Sequence, residues 1–277
     1  MPEATISDTI VRMNPVEEEY DFDIAELVYS DSGVICVSDL DSFAFHVLDP
    51  VSFKETKKLG KRGEGPGEYL EPELVVPLSN RMMVADCWRH HIIEGKDTLK
   101  YGSDVINMAG EISRFLLGYT VLGENGYVFK IYDMENQKTW DSIDCSEISP
   151  DIKDSPLFWS TNGKHIVAAF LKSNVILIAG LGQEAMKNLT VLRGGLDGHE
   201  FAYSCVVCLD DGFIVLSQED VDFKTGTGNS KIKRFDYDGN ALSCIDTGMV
   251  GYQFTYDRKN KRVIMASNDD RLYTFQF

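Results

Sequence analysis

The sequence has no long apolar run. Its longest, near Val175–Ala179, falls far short of the ~20 residues that cross a bilayer as a helix. Proline is scarce, with 8 residues among 277, and no tract is low-complexity, so disorder is not indicated. No Pro/Gly/Ser-rich stretch or charge run reads as a linker, which points to a single domain over residues 1–277. Basic residues are few: 27 Lys and Arg stand against 44 Asp and Glu, a formal charge of −17. Such a surface repels a nucleic-acid backbone and an anionic membrane surface, so nucleic acid is not an expected partner, and the short apolar runs give no expectation of a membrane span. The plain consequence of the charge is solubility; the functional one is a cation or a basic partner. Residues Met1–Thr9 lack a basic stretch followed by an apolar one, so no signal peptide is expected. That leaves a cytoplasmic chain or a mature chain whose export signal was left out.

Cysteine and histidine are also thin. The six cysteines, at 36, 87, 145, 205, 208 and 244, are spread over a large chain and do not form a disulfide scaffold. Cys205 and Cys208 make a CxxC inside a strand-like run. Residues three apart on a strand face opposite sides, and no second CxxC or histidine completes a zinc set. Buried thiols are the expectation.

What is present is a repeat. Hydrophobic residues make up 43% of the chain, enough for a sizeable core. A unit of about 46 residues recurs about six times, within the range of four-stranded propeller blades. Each unit reads as strand, tight polar turn, strand, loop, strand, then a last strand. The first has a strand near Ile24–Tyr29, a turn at Ser30–Gly33, then Val34–Ser38, Phe43–Asp49 and Lys54–Leu59. Later units carry LVVPL and MMVAD, YTVLG and YVFKIYD, HIVAAF and NVILIAG, YSCVVC and FIVLS, and finally YQFTY, RVIMA and RLYTFQF. These runs are rich in Val, Ile, Phe and Tyr, which suit a pleated, half-buried surface. The turns carry Gly, Asn and Asp, which tolerate positive φ or bond locally. Residues Asp104–Leu116 show helical spacing at Ile106, Ala109, Ile112 and Phe115, and read as an irregular connector into the third unit.

The predicted fold is therefore all-β: a six-bladed β-propeller with four antiparallel strands per blade. The last unit stops after three strands, and Thr9–Met13 supplies the missing one, which closes the ring without an exposed edge. Seven blades would need shorter units. A pair of β-sandwiches would leave the repeat unexplained.

The segment LGKRGEGPGEYLEPELVV (Leu59–Val76) resembles the blade connector of NHL-type six-bladed propellers. There a glycine-rich GPGE or GPGQ stretch with an aromatic runs into a Pro that opens the next blade. With MMVADCWRHHI after it, the chain is similar to bacterial TolB-like propellers. The resemblance implies the fold, and it implies a periplasmic or cell-envelope setting because many members are exported. It implies little about activity. The chain lacks the lipobox cysteine of such lipoproteins.

Candidate sites follow from the repeat. GEGPGE is not a phosphate loop: it has no Gly-Lys-Ser/Thr ending, and Glu64 and Glu68 would repel phosphate. The connections between the second and third strands of each unit carry Asp39, Asp41, Asp86, Trp88, Arg89, His90, Glu219, Asp220, Asp222, Asp269 and Asp270. In a propeller such loops share one face, which makes that face a carboxylate-rich candidate for ligand binding. Oxygen ligands of this kind suit Ca²⁺, although turns favour Asp in any case. Gln218–Ser230 reads as a long loop, with Gly226 and Gly228, and is the first place to expect a partner. His90 and His91 are adjacent, so on a strand they face opposite sides and cannot hold one ion together. His90 beside Asp86 and Arg89 has the make-up of a general base, but no Ser-His-Asp set emerges from the spacing. No catalytic residue is assigned.

The leading expectation is a monomeric recognition module for a protein, peptide or glycan, with Trp88 or Tyr69 as anchors. The alternative is a Ca²⁺-dependent hydrolase or lyase resembling the gluconolactonase and paraoxonase group. The apolar inner strands LVYS, LVVPL and SCVVC count against it. A scaffold role in envelope machinery rests on analogy with TolB alone.

Overall fold

β-Branched and aromatic runs separated by Asx- and Gly-bearing turns build most of the described residues into short, mainly antiparallel strands. The computed structural model describes residues 9–11, 13–29, 35–39, 44–60, 63–65, 68, 72–78, 81–86, 89–92, 98–99, 106–113, 115–149, 152–153, 155–183, 185–193 and 202–276. Two short strands come first, β1 (Thr9–Ile10) and β2 (Asn14–Pro15). Then follow β3 (Glu26–Tyr29), β4 (Ile35–Asp39), β5 (Ala44–Leu48) and β6 (Glu55–Leu59). The next four are β7 (Pro72–Leu78), β8 (Arg81–Asp86), β9 (Arg89–Ile92) and β10 (Thr98–Leu99). After them come β11 (Ile106–Ser113), β12 (Leu116–Gly123), β13 (Gly126–Asp133) and β14 (Lys138–Asp144). One helical turn, α1 (Cys145–Ile148), is capped by the Asp144 carboxylate, which accepts from the Ser146 N–H. The remaining strands are β15 (Leu157–Thr161), β16 (His165–Phe170), β17 (Val175–Leu181), β18 (Met186–Arg193), β19 (Tyr203–Cys208), β20 (Phe213–Asp222), β21 (Thr227–Phe235), β22 (Ala241–Asp246), β23 (Gly251–Asp257), β24 (Arg262–Ser267) and β25 (Leu272–Gln276).

Among the described residues these strands form six sheets. Four are the meanders β3 to β6, β7 to β10, β11 to β14 and β15 to β18. The fifth runs β19 to β22 with β1 added at its edge, and the sixth is β23-β24-β25 with β2 beside β25.

The chain separates into two compact units. In the larger stretch of unit 1, Asp144–Phe254, β19 lies against β15 and β16. The core there joins Val167, Ala169, Ile176 and Ile178 to Tyr203, Val206, Cys208, Phe213 and Val215, all buried. Cys205 donates its S–H to the Phe254 carbonyl at 3.1 Å, so β19 also touches β23 at Phe254. Cys205 and Cys208 are both buried, on either side of a strand with a bulge between Tyr203 and Cys205. In unit 2, which includes Pro15–Glu124 and Thr255–Phe277, β7 lies against β3 and β11. The Tyr29 N–H, at the end of β3, donates to the Thr255 hydroxyl at 3.1 Å.

Three expectations are corrected. The strand that completes the sixth sheet is β2, a few residues beyond Thr9–Met13, and Val16 N–H continues it onto the Leu272 carbonyl at 2.8 Å. Pro15 has no N–H to donate and fits an edge position. Thr9 and Ile10 instead pair in parallel with Ile245 and Asp246 of β22.

Residues 106–113 are a strand, β11, paired with β12, so the third sheet begins one strand earlier than YTVLG. The segment has period two at Ile106, Met108, Gly110 and Ile112 as well as helical spacing at Ile106, Ala109, Ile112 and Phe115. Gly110 and Ser113 are poor helix formers, and β12 is an available partner.

The long loop Gln218–Ser230 is an ordered two-stranded ribbon. β20 and β21 remain paired out to Asp222↔Thr227, which leaves only 223–226 as the turn.

Candidate binding face

The ribbon of the fifth sheet carries Glu219, Asp220 and Asp222 of the predicted loop set. A bulge between Ser217 and Asp220 interrupts the β20–β21 register. It turns Gln218 inward, where it is 1% exposed. The Gln218 amide donates to the Ser204 hydroxyl at 2.6 Å and to the Gly251 carbonyl at 2.7 Å. Its carbonyl accepts from the Ser230 hydroxyl at 2.8 Å, and that hydroxyl accepts from the Gly251 N–H at 2.9 Å. Thr247 closes the cluster by donating to the Ser230 carbonyl at 2.7 Å. A buried polar group is costly when unpaired and stiffening when fully paired, and here the amide uses both ends. The base of the ribbon is thus fixed to the segment that leads into β23.

Past the bulge Asp220 and Asp222 face solvent, while Glu219 and Val221 are half-buried. The Glu219 carboxylate pairs with the Lys233 ammonium, and Asp220 pairs with Lys231 at 2.8 Å. At the tip, the Asp222 carboxylate accepts from the Lys224 N–H at 2.9 Å, and the Gly226 N–H returns to the Asp222 carbonyl at 2.8 Å. The Lys224 N–H, and then the Thr225 hydroxyl, hold the Asp222 carboxyl below its ordinary range. Phe223 is 42% exposed at this tip, next to exposed Lys224 and Thr225. Gly228 lies inside β21 with φ +107, and a Cβ there would fall 1.9 Å from the Asp220 carbonyl. Close backbone approach explains this glycine.

The other predicted site residues are distributed as follows. Asp39 ends β4 opposite Ala44, and Asp86 faces Arg89 across the β8–β9 hairpin. His90 is a strand residue opposite Ala85. Asp41, Trp88 and Tyr69 lie outside the described residues. Asp269 accepts from the Tyr273 hydroxyl at 2.7 Å. Desolvation, and then that bond, raise the Tyr273 pKa. Asp270 adopts φ 57, and its N–H donates to the Ser267 carbonyl at 3.1 Å. Both are turn-forming residues. The carboxylates described in detail therefore have partners of their own: Lys on the ribbon, Tyr273 and backbone N–H groups elsewhere. Among the described residues no three His, Cys, Asp or Glu side chains gather as a metal-ligand group. In the GEGPGE connector, Glu68 folds back to accept from the Gly65 N–H at 2.8 Å. A Cβ on Gly63 would meet that carboxylate at 2.1 Å, so the glycines make room for a glutamate of the chain itself.

Two polar staples went unforeseen, both where a first strand turns into a second. In unit 1, the Asn162 carbonyl caps its own turn by accepting from the Lys164 and His165 N–H groups at 3.0 and 2.9 Å. Its amide donates to the Leu209 carbonyl at 3.0 Å and to the Tyr237 hydroxyl at 2.9 Å. His165 stacks on Tyr237 at 3.8 Å; desolvation, and then Lys164, lower its pKa.

In unit 2, the fully buried Asp257 accepts from the Asn260 N–H at 3.0 Å and from Arg262 Nε at 3.1 Å. It also accepts from the Tyr29 hydroxyl. Arg262 reaches on to the Pro50 carbonyl and lies 4.8 Å above the Phe53 ring. Burial pushes the Asp257 pKa up, but the bonds from Asn260, Tyr29 and Arg262 outweigh it and leave a net depression. The sequence signals were an Asn-Gly after β15 and an Asp-x-x-Asn-x-Arg across the β23–β24 turn.

These features define an antiparallel β-propeller, and comparison with solved structures gives the same class. The chain matches the Cps50 (Swd1) β-propeller domain of Myceliophteria thermophila with a TM-score of 0.63 and 7% identity, over 96% of this chain and 99% of that one. It matches the RRP9 WD40 repeats with a TM-score of 0.61 and 12% identity, over 97% of this chain and 98% of that one. It matches U3-55K with a TM-score of 0.59 and 11% identity, over 96% and 98%. At such identities the likeness concerns the fold alone. It carries the propeller and does not extend to the TolB-like or NHL-type membership suggested by Leu59–Val76. No family model matches the chain, and no curated protein is similar to it. Among the described residues no helix is long and apolar enough to cross a membrane.

Proposed function

We propose that this chain is a protein-recognition module in which the six sheets serve as six blades. The blade count is supported by the six sheets and by the touching first strands of successive ones: β3 with β7, β7 with β11, β15 with β19, and β19 with Phe254 of β23. The Tyr29–Thr255 bond adds the step from β23 back to β3.

The observation that carries the recognition reading is the ribbon. A fold shared with WD40 repeats holds out an ordered hairpin whose base is fixed by buried hydrogen bonds. Its tip presents Phe223 beside Lys224 and Thr225, an exposed aromatic in a polar surround. Aromatic anchors ringed by polar groups are how such modules gain affinity, and a pre-ordered hairpin loses little entropy on binding. With a formal charge of −17 on the chain, a basic partner would suit such a module. The test is affinity capture followed by cross-linking with intact chain and with Phe223→Ala/Lys224→Glu. A partner that cross-links to Lys224 and is lost from the variant, with melting unchanged, supports the module. Equal capture by both proteins contradicts a role for the ribbon.

A further inference from the structure

Within unit 2, the acidic chain has a corner of opposite sign. The turn from β23 to β24 carries Arg258, Lys259 and Lys261, all exposed, and Arg262 follows it. Buried Asp257 fixes this turn from below. Besides the Asn260 N–H and Arg262, its carboxylate accepts from the Asn260 side-chain amide at 2.7 Å. Arg262 joins the turn to the one between β5 and β6 by donating to the Pro50 carbonyl. That second turn is closed by Asp49, which accepts from the Val51 N–H at 3.0 Å, the Ser52 N–H at 2.7 Å and the Ser52 hydroxyl at 2.9 Å. It holds Val51 outward, 71% exposed, with exposed Lys54 just beyond. Bonds from Ser52 and Val51, and then the charge of Lys259, hold the Asp49 carboxyl below its ordinary range, so Lys259 acts on the second turn as well as its own. The cations Lys54, Arg258, Lys259, Lys261 and Arg262 outnumber Asp49 and Asp257 here, on a chain whose formal charge is −17.

We infer that these two turns form a docking site for a short acidic segment of a partner protein, with an apolar side chain against Val51 and carboxylates beside Lys259 and Lys261. Against a net charge that favours basic partners, this corner selects a segment of the opposite kind. Complementary charge steers an acidic segment to the corner and sets its register there. Both turns are already fixed by hydrogen bonds, so little entropy is lost when they are engaged. A nucleic acid fits less well: its unbroken row of phosphates would carry negative charge onto the rest of an acidic chain. Val51 is matched by an apolar side chain and not by a phosphate. The site shares no residue with the ribbon and does not depend on how the ribbon is used.

The probe is a capped synthetic peptide with one leucine flanked on each side by a run of glutamates. It is titrated into the intact chain at low salt, with fluorescence anisotropy for affinity and amide spectra for location. Saturable binding is expected, with shifts confined to residues 49–54 and 257–262. Lys259→Glu/Lys261→Glu weakens binding at least about tenfold, and Lys259→Gln/Lys261→Gln about threefold, with melting unchanged in both. Val51→Ser, or serine in place of the peptide's leucine, weakens it about threefold. Salt at about 0.5 M weakens it further by screening exposed charges. Lys224→Glu at the ribbon tip leaves the affinity unchanged, so this site and the ribbon stand or fail separately. No binding by the intact chain, equal binding by the charge-reversed variant, or indifference to both the Val51 and the leucine changes overturns the inference. Shifts centred outside the two turns overturn it as well. An oligonucleotide of equal charge that binds as tightly as the peptide assigns the corner to polyanions at large and also overturns it.

Discussion

The base and the tip of the fifth-sheet ribbon are a few residues apart and are built on opposite terms. At the base, Gln218, Ser204, Ser230 and Thr247 are all buried and all hydrogen-bonded. At the tip, Asp222, Lys224 and Thr225 satisfy one another locally while Phe223 faces outward. Polar residues thus serve two ends within one hairpin. Those at the base fix its direction, and those at the tip close a turn without spending side chains on the rest of the molecule. Stability should therefore reside at the base and recognition at the tip.

If complete bonding in a buried setting is what separates the two, the largest losses come from buried polar sites wherever they lie. Asp257→Ala is expected to lower unfolding free energy by about 3 kcal/mol, read from the urea midpoint, because Arg262, Asn260 and Tyr29 lose their shared acceptor. Gln218→Ala should cost about 2 kcal/mol by the same measurement, since Ser204, Ser230 and Gly251 lose partners together.

The charged staple adds a pH dependence that the neutral base lacks. The Asp257 pKa is depressed in the folded protein, so its contribution is present in full above the unfolded value of about 4. It is lost as pH falls through the folded pKa. Asp257→Asn should flatten that acid limb of the melting-temperature profile, whereas Gln218→Ala should lower the profile without changing its shape.

The smallest effect belongs to the tip. Phe223→Ala should move stability by less than about 0.5 kcal/mol in the same urea titration. Partner capture should fall all the same. A large stability loss there would erase the distinction between base and tip.

The sheets were legible because each hairpin carries its own signals. FIVLS and IKRFDYDG, on either side of the fifth ribbon, hold the β-branched and aromatic residues of two paired strands, and Asn162-Gly163 marks a turn. The ribbon was hidden because its bulge breaks the alternation: Gln218 turns inward, so the polar run after Ser217 looks like loop. Gly226 and Gly228 strengthened that impression. Gly226 does serve the turn, but Gly228 is required by the close Asp220 carbonyl. The third sheet slipped by one strand because Ile106, Ala109, Ile112 and Phe115 satisfy helical spacing, and only the pairing with β12 decides between the periods. The N-terminal segment was misplaced because Thr9–Ile10 and Asn14–Pro15 are too short to show a period. Their assignment depends on which edge each one meets. The staples at Asn162 and Asp257 have local halves, Asn162-Gly163 and Asp257 with Asn260 and Arg262, but their partners Leu209, Tyr237, Tyr29 and Pro50 are far away in sequence, so no local window contains the whole of either.

Amide hydrogen exchange across residues 213–235 is the most direct test of the ribbon. The structure predicts slow exchange that continues beyond the bulge into Asp220–Asp222 and Thr227–Asn229, with fast exchange confined to 223–226 and the strand-edge amides. Uniformly fast exchange from Gln218 to Ser230 would contradict it and return this segment to an unstructured loop.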